Sequence, residues 1–137
     1  MKQIVLDAGP LIGLFYAKDT YHQNCIDGIA ELTQKRTALL TPLPIVFEVY
    51  KWLLQRNRPD IARRALRTMK NELQVLVFDE QAFGKVQDVI EDLPDWQGSL
   101  EDATVMLASV KYGCPIWTYN FRDFATFQSL EFWNPAG

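Results

Sequence analysis

Residues 4–10 read IVLDAGP, and this stretch decides the expected fold. The apolar run Ile4-Val5-Leu6 is followed at once by Asp7 and then by Pro10, a residue that fits the first turn of a helix. A short apolar run with a helix signal directly behind it indicates a buried strand that leads into a helix. Asp7 is therefore expected where the first strand ends.

The rest of the chain repeats this alternation of apolar runs and helical patterns. It predicts strands at residues 2–6, 37–41, 73–78 and 115–119, with a weak last strand near 130–133. It predicts helices at residues 10–18, 22–35, 43–56, 59–71, 79–91 and 99–112. Strands joined through helices form a largely parallel sheet with helices on both faces. The expected fold class is α/β: a three-layer α/β/α domain over residues 1–137, with a central mainly parallel sheet of four to five strands.

Composition narrows the class of protein. Hydrophobic residues make up 48% of the chain and charged residues 23%, a balance that favours a globular domain over a disordered chain. No apolar run reaches the roughly 18 residues that span a bilayer, so no membrane association is expected. Cys25 and Cys114 lie far apart without metal-ligand spacing, which favours reduced buried thiols in a cytoplasmic protein. The single histidine, His22, fits a loop or helix start better than a metal ligand.

The net charge of −3 argues against nucleic-acid binding by the electrostatics of the whole molecule, but one segment is basic. Its cations are Arg56, Arg58, Arg63, Arg64, Arg67 and Lys70, opposed there by Asp60 alone. The apolar residues at the opposite helical positions are Ile61, Ala62, Ala65, Leu66 and Met69. The basic face is either an ordinary solvated helix surface or a contact for phosphates or for a partner.

Four acids stand where surface solvation does not explain them. A parallel sheet binds its ligands outside the carboxyl ends of its strands. Asp7 ends the first strand, Asp123 and Asn120 follow the fourth, and Asp102 lies in the first turn of the helix before it. Glu48 lies about a turn and a half into the apolar helix after the second strand. These side chains could meet in one pocket, and clustered carboxylates suggest a metal site.

Helix capping is the structural explanation to weigh for two of the acids, Asp7 and Asp102. If Pro10 occupies the first helical position, Gly9 is the capping residue and Asp7 lies outside the capping geometry, which favours a functional role. Asp102 stands three residues after Ser99, the spacing of a capping box, so structural and functional roles are equally supported there.

The remaining polar residues also have ordinary structural explanations. Glu48 shares a helical stripe with Lys51, but its helix is apolar, and a buried acid needs a partner. Asp123 and Asn120 are also typical of a turn after a strand. Glu101 is expected to be a surface acid.

Four segments together resemble the PIN domain: LDAGPLIGLF (6–15), LPIVFEVYKWLL (43–54), SLEDATVMLAS (99–109) and IWTYNFRDF (116–124). The closing NPAG (134–137) resembles the end of VapC-type toxins. The resemblance extends in order over essentially the whole chain. It implies a PIN-like fold and a metal-dependent endoribonuclease that hydrolyses RNA phosphodiester bonds as the toxin of a type II toxin–antitoxin pair.

The resemblance also implies the roles of the site residues. Asp7, Glu48 and Asp102 would bind one or two Mg²⁺ or Mn²⁺ ions, and Asn120 or Asp123 would supply a fourth position. Many family members carry aspartate where Asn120 stands, so the fourth ligand and the affinity for a second ion stay open. Asp7 would be the most central ligand. Glu48 would bind metal directly or orient the attacking water.

Partners follow from the same resemblance: an RNA substrate, a protein antitoxin, and a second copy of the chain in a homodimer. The apolar early helices at residues 11–17 and 46–54 would form the antitoxin groove. The aromatic residues Trp96, Tyr119 and Phe121 either stack on bases or belong to the core or the dimer interface. Thr118 matches a hydroxyl residue of the family that holds a ligand or water, although an ordinary strand-end threonine explains it equally well.

Other classes fit less well. A phosphoacceptor receiver domain needs paired acids after its first strand and a lysine after its last, and a haloacid-dehalogenase-type phosphatase needs an aspartate where Gly9 stands. The chain has no P-loop, nucleophile elbow or dinucleotide motif. One alternative stays open: a catalytically weak PIN-like domain that binds RNA or protein. The asparagine at position 120, where many family members carry aspartate, supports this alternative.

Overall fold

The computed structural model describes residues 1–56, 58–127 and 129–135. Its strands are β1 (Gln3–Leu6), β2 (Ala38–Pro42), β3 (Gln74–Leu76) and β4 (Ile116–Trp117). Its helices are α1 (Ala8–Phe15), α2 (His22–Gln34), α3 (Leu43–Arg56), α4 (Pro59–Glu72), α5 (Glu80–Asp92), α6 (Leu100–Tyr112) and α7 (Phe121–Phe124). Within these ranges the four strands form a sheet in the order β3-β2-β1-β4, and every pair is parallel. The predicted α/β class and parallel sheet are confirmed.

The strand order determines where the helices lie. The chain moves from β1 to β2 to β3 in one direction, through α1 and α2 and then through α3 and α4. It returns across the sheet from β3 to β4 through α5 and α6. Because parallel crossovers are right-handed, opposite directions of travel place the two groups of helices on opposite faces of the sheet. Helix α6 accordingly packs against β1 and β2, while α1 packs against α2 and α3.

Strand β1 lies in the interior of the sheet and is apolar throughout its buried part. Ile4, Val5 and Leu6 are all fully buried, and Val5 is in register with Leu40 of β2 and Ile116 of β4. A strand covered on both faces favours a continuous apolar run over alternation. The first polar side chain after that run, at residue 7, therefore emerges at the middle of the carboxyl edge.

Two helices differ from the sequence predictions. Helix α1 begins at Ala8, two residues earlier than predicted, and ends at Phe15. Proline is tolerated throughout a first turn, whose N–H groups lack intrahelical acceptors, so Pro10 indicates that turn without identifying its first residue. Helix α7 was not predicted, because four residues carry too little periodicity to be recognised.

The end of the chain also differs from the predictions. Strand β4 has two residues instead of five, and the expected last strand is reduced to one parallel bridge between Ile116 and Phe132. The Asn120 N–H donates to the Thr118 hydroxyl and not to a neighbouring strand, which ends the ladder early. Of the NPAG segment, residues 136 and 137 lie outside the described residues.

Several smaller predictions are also settled by the structure. Cys25 and Cys114 are buried free thiols. His22 is the first residue of α2, and its Nδ1 lies 2.7 Å from the carbonyl oxygen of Gly13, so it has a structural partner. None of the helices in the described part of the chain is long and apolar enough to cross a membrane.

Helix α4 has the predicted two-sided character, with one exception. Ala62, Ala65 and Met69 are buried, and the cations at residues 63, 64, 67 and 70 are exposed. Leu66 was expected on the buried face but is 40% exposed. Leu66 follows buried Ala65 and precedes buried Met69 in the sequence. Helical spacing therefore puts it at the border of the apolar stripe.

Candidate acidic site

Strands β1 and β4 are parallel neighbours, so the residues that follow them emerge at the same edge of the sheet. The Asp7 N–H donates to the Trp117 carbonyl oxygen at 3.0 Å. One residue later, the Thr118 hydroxyl donates to Asp7 Oδ2 at 2.7 Å, and both side chains are buried. Thr118 is thus more than a strand-end threonine, because it holds the carboxylate that the sequence analysis placed at the centre of the site.

The Asp7 carboxylate is only half satisfied. Asp7 occupies the N-cap position of α1, which corrects the assignment of that position to Gly9, yet its side chain makes no capping hydrogen bond. The side chain is 4% exposed, and Oδ1 has no hydrogen-bond partner among the described residues. Burial, opposed by the Thr118 hydrogen bond and reinforced by the charge of Asp102, raises the pKa of Asp7 to about 6.

Asp102 has the predicted capping role, and its side chain also lies among the other acids. Its N–H donates to the Ser99 hydroxyl at 3.0 Å, and its Oδ2 accepts from the Ser99 N–H at 3.2 Å, which completes the capping box of α6. The same side chain is 8% exposed and faces the other acids. Burial raises its pKa, the Ser99 hydrogen bonds oppose that shift, and the charge of Asp123 adds to it.

Asn120 and Asp123 lie together in the site. The Asn120 amide donates to Asp123 Oδ2 at 2.9 Å and to Asp102 Oδ2 at 3.4 Å. The short helix α7 makes this possible, because one turn returns residue 123 towards residue 120. A single neutral side chain therefore holds two carboxylates, an arrangement that the sequence analysis did not anticipate when it treated the two residues as alternatives.

Glu48 reaches the same group of charges from α3. The pKa of Glu48 is raised to about 7. Burial is the largest cause, and the charges of Asp7, Asp102 and Glu101 add to it. Glu101 was expected to be a surface acid, but it is half-buried and close enough to affect Glu48 and Asp102. Its place beside Asp102 in the first turn of α6 was the signal that could have identified it.

Carboxylate and amide oxygens are the donors that a hard divalent cation prefers. No group of three or more His, Cys, Asp or Glu side chains within residues 1–56, 58–127 and 129–135 is arranged to hold a metal ion. The carboxylate oxygens instead accept hydrogen bonds from Thr118, Ser99 and Asn120. However, each neighbouring charge that shifts the pKa of Asp7, Glu48 or Asp102 is another carboxylate, and one buried oxygen has no partner. A site rich in oxygen atoms whose negative charge is not compensated fits a hard cation.

The three aromatic residues singled out in the sequence occupy different environments. Trp96 is half-buried and packs edge-on against buried Phe124, so it belongs to the core. Phe121 is exposed and contacts Phe132 edge-on. Tyr119 is half-buried: its chain neighbours Thr118 and Asn120 contact the acids, and its own hydroxyl donates to Asn24 of α2.

Comparison with known proteins gives structural matches only. No protein-family profile and no curated protein sequence matches the chain. The VapC20 toxin of Mycobacterium tuberculosis, described as cleaving the sarcin-ricin loop, aligns with a TM-score of 0.76 and 16% identity over 90% of this chain and 95% of its own. A DNA-bound VapBC structure from Salmonella typhimurium gives 0.73 and 15% over 99% and 100%. A toxin–antitoxin complex from Klebsiella pneumoniae gives 0.65 and 16% over 97% and 98%. The chain therefore has the PIN-like fold of VapC toxins that its sequence predicted.

Proposed function

We propose that the protein is a metal-dependent endoribonuclease and the toxin of a type II toxin–antitoxin pair. The observation that carries the proposal is the convergence of four acids: Asp7, Glu48 and Asp102 lie close enough for their charges to raise one another's pKa values, and Asn120 links Asp102 to Asp123. The fold supports it, since the structures that share it include a sarcin-ricin loop cleaving toxin and a toxin–antitoxin complex.

The electrostatics of the site require a cation if the substrate is a phosphodiester. The substrate is an anion, and three or four carboxylates would repel it unless one or two Mg²⁺ or Mn²⁺ ions reversed the local charge. Asp7 would be the central ligand, through the oxygen that lacks a hydrogen bond. Asp102, Asp123 and Glu48 would complete the set, with Asn120 as a further oxygen donor.

Each residue of the site has a part in the hydrolysis. When bound, the cations would lower the pKa of an attacking water and offset negative charge on the leaving oxygen. Thr118 holds the carboxylate of Asp7 in place, and the Asn120 amide holds those of Asp102 and Asp123. Glu48, half-buried near the charges of Asp7 and Asp102, would bind a cation directly or orient the attacking water and accept its proton. The water oxygen bonds to phosphorus, the bond to the leaving ribose oxygen breaks, and that oxygen takes a proton from solvent.

Partner binding is part of the same proposal. Of the two segments expected to form the antitoxin groove, residues 46–54 present exposed apolar side chains at Phe47 and Leu54, whereas Leu11 in residues 11–17 is buried. We propose that an antitoxin covers the exposed side of α3, next to Glu48, and thereby obstructs the site. A homodimer is proposed from the resemblance alone.

A catalytically weak PIN-like domain that binds RNA or protein is the second candidate. One observation favours it: the Asn120 amide already holds Asp102 and Asp123, and the described carboxylates are not arranged around a metal position. In that case the acids would form part of a binding surface, and the protein would not hydrolyse RNA.

Cleavage of structured and single-stranded RNA in Mg²⁺ or Mn²⁺ tests the proposal. We expect activity that is lost with chelator and falls by about a hundredfold or more in Asp7→Asn and Asp102→Asn, because each removes a charged ligand. Asp88→Asn, which changes an exposed acid on α5, is the matched control. Activity that survives both substitutions contradicts the proposal. Calorimetric Mn²⁺ binding without cleavage of any RNA in the panel favours the second candidate.

A further inference from the structure

Two tyrosines are stacked beside the first turn of α1, which begins directly after Asp7. The ring centroids of Tyr21 and Tyr119 are 4.1 Å apart, and their planes differ by 7°. Tyr119 lies against the backbone of that turn, because a Cβ atom added at Gly9 would be 3.2 Å from its Cδ2 atom. Its chain neighbours Thr118 and Asn120 contact the acids, so the stack is close to the acidic site along the chain.

Hydrogen bonds hold the Tyr119 ring and the backbone of Tyr21 in position. The Tyr119 hydroxyl donates to Oδ1 of Asn24 and lies 3.5 Å from the Cys25 sulfur. The Tyr21 N–H donates to Asp19 Oδ1 at 2.8 Å, which orders the turn before α2. The stack is thus preorganised, and a ligand that used it would lose little entropy of the protein.

The outer ring is open to solvent. Tyr21 is 47% exposed, and Tyr119 is the ring that contacts it among the described residues. Stacking on Tyr119 accounts for one face of the Tyr21 ring and leaves the other without an aromatic partner among the described residues. A flat ligand group would fit this face, and nucleobases stack on exposed tyrosine rings in this way.

We propose that Tyr21 stacks on a nucleobase of a single-stranded RNA segment whose phosphodiester lies at the acidic site. This inference rests on the proposed ribonuclease function and adds a substrate-contacting residue to it. Tyr119 acts as a positioning residue that supports Tyr21 from beneath. Because every base has a π face, the contact selects unpaired over paired nucleotides more than it selects one base.

Binding of labelled RNA with Ca²⁺ in place of Mg²⁺ tests the contact. The probes are fluorescein-labelled adenylate and uridylate strands of about 12 nucleotides, and a strand of the same length without bases. We expect Tyr21→Leu, which keeps bulk but removes the π face, to weaken binding to both base-containing strands by about tenfold. Tyr21→Phe is expected to stay within about twofold of the unsubstituted protein, and the strand without bases should not distinguish the variants.

The control is Phe83→Leu, which changes an exposed ring on α5, a helix that contributes no residue to the site. Thermal unfolding of each variant establishes that it is folded. Equal RNA binding by Tyr21→Leu and the unsubstituted protein overturns the proposal. So does a loss that is as large for the strand without bases. A Tyr21→Leu variant that binds RNA normally but self-associates less would assign the ring to a protein interface instead.

Cleavage in Mg²⁺ separates this inference from the function on which it rests. Tyr21→Leu should raise KM about tenfold and change kcat by less than about twofold, because the ring contacts a base and not the reacting phosphate. If the protein cleaves RNA and Tyr21→Leu has an unchanged KM, the stacking proposal fails while the function stands. If Tyr21 is required for RNA binding but nothing is cleaved, the hydrolase proposal fails and the stacking contact stands.

Discussion

Asp7 at the end of β1 and Asp102 at the start of α6 are both buried acids, yet their surroundings satisfy them differently. Asp102 is held by a local motif, since Ser99 exchanges two hydrogen bonds with it. Asp7 occupies an N-cap position without capping, and one of its oxygens has no partner in the described structure. A buried acid within a capping motif can therefore take part in a site at little cost in stability. A buried acid without such a motif lowers the stability of the protein when no metal is bound.

The largest expected effect is the pH dependence of metal-free stability. The pKa of Asp7 is raised from 3.8 to about 6 in the folded state, which at about 1.4 kcal/mol per pH unit corresponds to about 3 kcal/mol. A raised carboxylate pKa means that the native state binds the proton first. Stability in chelator should therefore rise as the pH falls from 8 through 6 towards 4, with Glu48 adding in the same direction from about pH 7.

Urea unfolding at several pH values in chelator measures this effect, and Asp7→Asn should flatten the curve. An Asp7→Asn variant whose stability rises as much between pH 6 and 4 as that of the unsubstituted protein would show that the pKa of Asp7 is not raised. Repeating the series in Mg²⁺ should remove most of the pH dependence above pH 6, because a bound cation stabilises the charged carboxylates.

The second prediction compares the two acids directly in chelator at pH 8. Asp7→Asn should raise the free energy of unfolding by about 2 kcal/mol, because it removes a buried charge and keeps an acceptor for Thr118. Asp102→Asn should change it by less than about 1 kcal/mol, since relief of charge and a weaker cap oppose each other. Equal changes in the two variants would mean that the capping box does not distinguish the acids.

Thr118→Val removes the hydrogen bond that Asp7 accepts from a side chain, together with the acceptor of the Asn120 N–H. Loss of a buried hydrogen bond to a charged group should destabilise the protein by about 1–3 kcal/mol and raise the pKa of Asp7 further. We expect RNA cleavage to fall by about tenfold, with Mn²⁺ affinity measured alongside. Thr104→Val, in which the lost bond is to a backbone carbonyl in α6, is the matched control for stability, and equal cleavage by both variants would argue against a role for Thr118.

The smallest effect is expected for Ser99→Ala, which breaks the motif that satisfies Asp102. Losing this N-cap should cost about 1 kcal/mol of stability and reduce cleavage only slightly, because Asn120 still contacts the carboxylate. Chemical denaturation measures the change. A large loss of activity without loss of stability would show that Ser99 positions Asp102 for the reaction.

The elements themselves could largely be located from local pattern. The four strands and six longer helices fall where apolar runs, caps and prolines placed them, because those signals act within a few residues. The failures are also local in origin. A proline in the third helical position was taken for the first, and a four-residue helix at 121–124 was too short to leave a pattern.

The sequence by itself determined the α/β class, the edge of the sheet at which acids gather and the capping box at Ser99, because each depends on periodicity or short spacing. Only the tertiary structure decided that Asp7 keeps an unpartnered oxygen, that Asn120 holds two carboxylates at once and that Glu101 joins the site. It also brought Tyr21 onto Tyr119, 98 positions along the chain. Burial and contacts between distant segments are properties of the packed chain, and no local pattern encodes them.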